Sequence, residues 1–181
     1  MTYKRLKTAG SLLLLMLLAA GLLYGLVSKR GNRTADKTER LPPAESVKIP
    51  VKTGLRDSVV DFGMTLLGKP YTDGACSLDG FDCSGFVYYV FQHFNIKVPR
   101  SSSGFAAFGQ AVATENIQKG DVLVFLSPTK QVIGHVGIVS KAMGAESLFI
   151  HASSGREMKV IISSLASAGY SRRFVKAVNV L

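Results

Sequence analysis

The chain has 181 residues, 47% of them hydrophobic and 19% charged, and its formal net charge is +10. That length and balance suit one globular domain with appendages, with no sign of a second folded unit. Residues 1–56 hold 11 Lys/Arg against 3 Asp/Glu, whereas residues 57–181 hold 11 against 9. The folded part is therefore nearly neutral, which argues against nucleic-acid binding. The basic end suits contact with anionic lipid headgroups or wall polymers instead.

In chain order, Lys4, Arg5 and Lys7 precede an apolar run from Ala9 to Val27. That run of about nineteen residues is longer than a signal-peptide core of roughly 7–15 and close to the roughly 20 that span a bilayer. Residues 1–28 therefore read as a signal or membrane anchor, the length favouring an uncleaved anchor. Cleavage would have to use Ala19-Ala20-Gly21, a poor small-x-small site inside the apolar run. Residues 29–54 are basic and proline-bearing, with Leu41-Pro42-Pro43 and Ile49-Pro50. They read as a flexible linker.

Residues 55–181 read as the folded domain. Leu55, Val59, Phe62 and Leu66 fall on one helical face, and Gly68-Lys69-Pro70 stops the helix near Leu67. Tyr71 to Gly80 is expected to be a glycine-containing loop. From Cys83 onward, Phe86, Val87, Val90, Phe91 and Phe94 recur at helical spacing. This second helix is expected to be closed by Val98-Pro99-Arg100-Ser101-Ser102-Ser103. Apolar strands are expected at Val122–Phe125, around His135, around His151, at Met158–Ile162 and at Phe174–Val180. Helices first and antiparallel strands afterwards give an α+β domain.

Cys83 carries the first chemical signal, because a thiol at a helix start meets unpaired N–H groups and the positive end of the helix dipole, which favour thiolate. A buried structural cysteine is the alternative on this stretch alone. His135 lies in Gly134-His135-Val136-Gly137-Ile138, where Gly137 leaves space on the histidine's face. His151 lies in Phe149-Ile150-His151-Ala152-Ser153, and adjacent antiparallel strands would bring the two imidazoles together. A cysteine, a histidine base and a polar group that orients the base form an activated nucleophile. His93, on the polar side of the Cys83 helix, reads as a surface residue. Cys76 reads as a free loop cysteine, since a disulfide to Cys83 would quench the nucleophile. Counting both cysteines with His135 and His151 as a zinc set fails on spacing, because neither pair has the short interval of structural zinc sites.

The motifs Phe81-Asp82-Cys83-Ser84-Gly85-Phe86-Val87, Gly120-Asp121-Val122-Leu123-Val124-Phe125, Gly134-His135-Val136-Gly137-Ile138 and Phe149-Ile150-His151-Ala152-Ser153 together resemble the NlpC/P60 family of cell-wall cysteine peptidases, over about Leu55 to Leu181. The resemblance implies a papain-like fold with the nucleophile at a helix start packed on an antiparallel sheet. It implies Cys83 as nucleophile, His135 as general base and acid, and His151 as the group that orients His135. It also implies that Tyr71 lies close to the reacting centre, that Asp82 and Ser84 contact the substrate peptide, and that no cofactor takes part. The expected activity is a peptidoglycan endopeptidase outside the cytoplasmic membrane, cutting most often between γ-D-glutamyl and the diamino acid. A non-catalytic wall-binding module and a thioester-using acyltransferase are the other classes this sequence leaves open.

Overall fold

A computed structural model describes residues 54–181. The signal or anchor expected at 1–28 and the linker at 29–54, apart from Gly54, lie outside the described residues. Helix α1 spans Leu55–Thr65 and buries Val59, Val60 and Gly63. It ends before the expected Leu67 because the N–H groups of Leu66 and Leu67 turn back to Gly63 and Met64, three residues earlier. Gly68 then takes a positive φ of 81°, which only glycine adopts without strain. The Gly68 N–H bonds the Val160 carbonyl, and the chain thus leaves the helix along an edge of the sheet.

Residues 71–80, expected to be a loop, contain all but Phe81 of a two-stranded hairpin, β1 (Cys76–Ser77) paired antiparallel with β2 (Gly80–Phe81). Helix α2 runs Cys83–His93 and buries Phe86, Val87, Val90 and Phe91, the apolar stripe expected from its spacing. It stops well before Val98. The N–H of Asn95 bonds Gln92 and that of Ile96 bonds Phe91, with Asn95 at φ 59°, a helix ending that asparagine tolerates better than most residues. The 98–103 segment instead leads into a 3-10 turn, Ser102–Ala106, capped by the Ser101 side chain.

The remaining strands are β3 (Gln110–Val112), β4 (Val122–Leu126), β5 (Ile133–Lys141), β6 (Leu148–Ser153), β7 (Lys159–Ser164) and β8 (Phe174–Asn179). They form one six-stranded antiparallel sheet in the order β3-β8-β4-β5-β6-β7. Strand β3 and a four-residue helix α3 (Ala168–Ser171) were not expected from the sequence. Alternate residues explain the continuous apolar runs. In β4, Val122 and Val124 join a core shared with α1 and α2, while Leu123 and Phe125 join a second core with Phe149, Leu165 and Ala177. The central strands are covered on both faces, so polar alternation is absent from them. The α+β architecture expected from the order of elements is the one observed.

Candidate active site

Cys83 is the first residue of α2. Asp82 precedes it as an extended N-cap, and its carboxylate accepts the Gly85 N–H at 2.5 Å, satisfying a donor the helix start would otherwise leave open. Gly85 has to be glycine, since a Cβ there would collide with the Ala75 carbonyl. The Cys83 thiol is turned to the carbonyl of Gly134, 3.8 Å away, and meets the Val136 N–H. Its sulfur therefore rests against the backbone of β5 on either side of His135. Burial pushes the thiol above its ordinary pKa and the Asp82 carboxylate adds to this, while the N–H groups of Val136, Ser84 and Cys83 pull the other way. The helix start alone does not produce the thiolate expected from the sequence, because desolvation and Asp82 outweigh it.

The two histidines come from neighbouring strands and are both buried, His135 at 7% exposure and His151 at 0%. Their rings meet edge to face at 4.8 Å, with His135 Nε2 3.0 Å from His151 Nδ1. That contact leaves Nδ1 as the free nitrogen of His135. Gly137 makes room for the pair, since a Cβ on it would stand 2.6 Å from the Phe149 ring and 3.0 Å from the His151 Cβ. Burial, then His151, then Arg173 hold the His135 imidazole well below its usual pKa. Burial is also the main cause that lowers His151 to about 4, with Arg173 acting in the same direction and the Ala152 backbone opposing. All three shifts favour the uncharged forms, the thiol of Cys83 and the neutral imidazoles of His135 and His151.

On its other side, His151 Nε2 lies 3.0 Å from the Ser163 hydroxyl and 3.3 Å from the Tyr170 hydroxyl. Neither residue was singled out in the sequence. Ser163 sits in an ordinary-looking edge strand and Tyr170 in a helix of one turn, so no spacing marks them.

The three residues expected at the substrate differ in what they touch. Both carboxylate oxygens of Asp82 are engaged inside the protein, by Arg100 at 3.0 and 2.9 Å, by Gly85 and by the Ser84 hydroxyl at 3.1 Å. Burial pushes the Asp82 carboxyl up, but Arg100, Gly85 and Ser84 more than offset it and its pKa lies below the ordinary value. Asp82 and Ser84 thus fix the helix start and the Arg100 loop. Tyr71 pairs with Phe81 and is half-buried. Burial raises its phenol, with further contributions from the nearby Cys83, Asp73 and Asp82. Cys76 is a free thiol as expected, though in β1 and not in a loop, with its sulfur 3.3 Å from the Gly85 carbonyl. His93 is exposed and stacks on Phe62 at 3.9 Å, away from the histidine pair.

The model of the NlpC/P60 family matches residues 68–179, a stretch that holds Cys83, His135 and His151. The chain belongs to the NlpC/P60 family. It is 43% identical over 110 residues to the gamma-DL-glutamyl hydrolase of Bacillus subtilis, which covers 60% of this chain and 25% of that protein. It is 34% identical over 127 residues to the gamma-D-glutamyl-L-lysine dipeptidyl-peptidase of Bacillus cereus, covering 70% of this chain and 37% of that protein. The chain thus spans well under half of either relative. A crystal structure of an NlpC/P60 family protein from Bacillus cereus superimposes with a TM-score of 0.63 at 32% identity, covering 71% of this chain and 41% of that one.

Proposed function

We propose that this NlpC/P60 protein is a cysteine peptidase of the bacterial cell wall that hydrolyses an amide bond in peptidoglycan stem peptides, the γ-D-glutamyl–diamino acid bond first among them. The observation that carries this reading is the Cys83 sulfur at a helix start, 3.8 Å from the Gly134 carbonyl that precedes His135, together with the buried His135–His151 pair joined at 3.0 Å. The names of the two Bacillus relatives, both of which specify γ-glutamyl bonds, support the choice of bond.

In this reading His135 Nδ1 takes the thiol proton as Cys83 Sγ attacks the amide carbonyl, so the thiolate forms with the substrate in place and not before. The N–H groups of Cys83 and Ser84, already close to the sulfur, are the donors for the carbonyl oxygen as it becomes negative. His135 then passes its proton to the leaving amine. Water, deprotonated by the same nitrogen, releases the acyl group from the thioester. Asp82 acts by holding the helix start, and Tyr71 borders the attacked carbonyl. Residues 1–28 would keep the enzyme at the outer side of the cytoplasmic membrane, with residues 29–54 as the reach towards the wall.

The test is mass spectrometry of peptidoglycan fragments after incubation with the full-length protein. Free γ-D-glutamyl carboxylates with water-derived oxygen are expected. Intact stem peptides would refute the activity, and cleavage only at cross-links would move the bond.

A further inference from the structure

The far side of His151 carries more polar chemistry than a structural histidine needs. Its Nε2 faces two hydroxyl oxygens, Ser163 of β7 at 3.0 Å and Tyr170 of α3 at 3.3 Å. His151 has no exposure to solvent, so these are the partners that decide where its single proton resides. We propose that Ser163 and Tyr170 are positioning residues that hold the His151 proton on Nε2 and thereby leave His135 Nδ1 unprotonated for the Cys83 thiol. The proposal rests on the peptidase reading above.

A neutral imidazole carries one proton on one of two nitrogens. With that proton on Nε2 of His151, its Nδ1 is an acceptor. The opposite nitrogen, His135 Nε2, must then be the N–H that fills the 3.0 Å contact, and His135 Nδ1 is left bare. Moving the His151 proton to Nδ1 reverses every step and puts a hydrogen on His135 Nδ1, where it blocks the base. Two oxygens around one nitrogen favour the first arrangement. An N–H can be shared between two acceptors, whereas a bare nitrogen has a single in-plane lone pair and takes one donor.

Tyr170 is well placed to keep its hydroxyl fixed. Its ring stands edge-on to Phe149 at 5.0 Å and to Phe125 at 5.5 Å, and the Arg173 guanidinium covers it 5.1 Å from the centroid. Ser163 approaches from the neighbouring strand. Two supports from different elements mean that loss of one hydroxyl leaves the other, while loss of both strands a buried N–H and expels the proton to Nδ1.

The test combines imidazole nitrogen NMR on the full-length protein with steady-state kinetics on peptidoglycan fragments. In the wild type, the His151 proton is expected on Nε2; finding it on Nδ1 overturns the proposal without any variant. The Ser163→Ala/Tyr170→Phe double variant is expected to move it to Nδ1 and to lower kcat by about 10–100-fold, as loss of outer partners does at metal-bound histidines, with KM within about twofold. Each single variant should lose less, and Ser163→Thr in the Tyr170→Phe background should restore the proton position. A double variant with the proton still on Nε2, or with wild-type kcat, contradicts it. A wild-type protein that cleaves nothing defeats the peptidase reading alone, because the NMR answer does not depend on turnover.

Discussion

His151 is the residue at which stability and chemistry meet. Its imidazole titrates near 6.5 in an unfolded chain and at about 4 here. The unfolded state therefore binds the extra proton between those values, and stability is lost as pH falls from 6.5 towards 4, by roughly 3 kcal/mol from this group. Buried His135 acts in the same direction. Urea unfolding at stepped pH should show this decline, and His151→Gln should flatten it. Activity should fall in the same direction, because in the proposed mechanism the base is neutral His135. The acid limb of kcat/KM is expected below pH 6.5; an acid limb above 7 would mean that His135 is not the base. The hydrogen bond to His135 needs an acceptor and not a charge. His151→Gln should thus keep measurable turnover, while His151→Phe falls towards the ~10⁴-fold loss seen when a serine-protease triad adopts the wrong tautomer. Equal rates in the two variants would reduce His151 to a strand residue.

At the scale of elements, the sheet brings the histidines together only because Gly137 lets β5 and β6 close. Adding a methyl group there sets a Cβ 2.6 Å from the Phe149 ring and 2.9 Å from the Ile150 carbonyl. Gly137→Ala is expected to cost about 1–3 kcal/mol, the range of overpacked cores, and to lower activity by displacing His151; an unchanged urea midpoint would contradict this. This glycine and the helical stripe of α2 were legible from spacing, as were the two histidine strands. The helix end at His93 was not, because an asparagine at positive φ ended the helix ahead of Pro99. Asp82's engagement was also hidden, since its partner Arg100 returns from a loop 18 residues on. Ser163 and Tyr170 carried no local signal at all, being defined by what lies across a strand pair and not by neighbours in sequence.

For the whole molecule, the sheet buries both faces. The first core supports α2, and the second, with Phe125, Phe149 and Tyr170, surrounds the histidines and keeps them neutral. That division was invisible in continuous apolar runs such as Val122-Leu123-Val124-Phe125, which do not say which residue faces which layer. Most of the net positive charge lies in residues 1–56, of which only Gly54, Leu55 and Arg56 are among the described residues. The full-length protein is accordingly expected to fractionate with membranes and to be released by removal of residues 1–28; a soluble mature chain beginning near Leu22 would contradict the anchor. The central claim is covalent catalysis by Cys83, and acid-quenched single-turnover mass spectrometry tests it most directly. Wild-type protein mixed with stem peptide should carry an acyl mass on the fragment containing Cys83. Cys76→Ala should carry it too, and Cys83→Ala should carry none and release no product. Product formation by Cys83→Ala at the wild-type rate would contradict the mechanism.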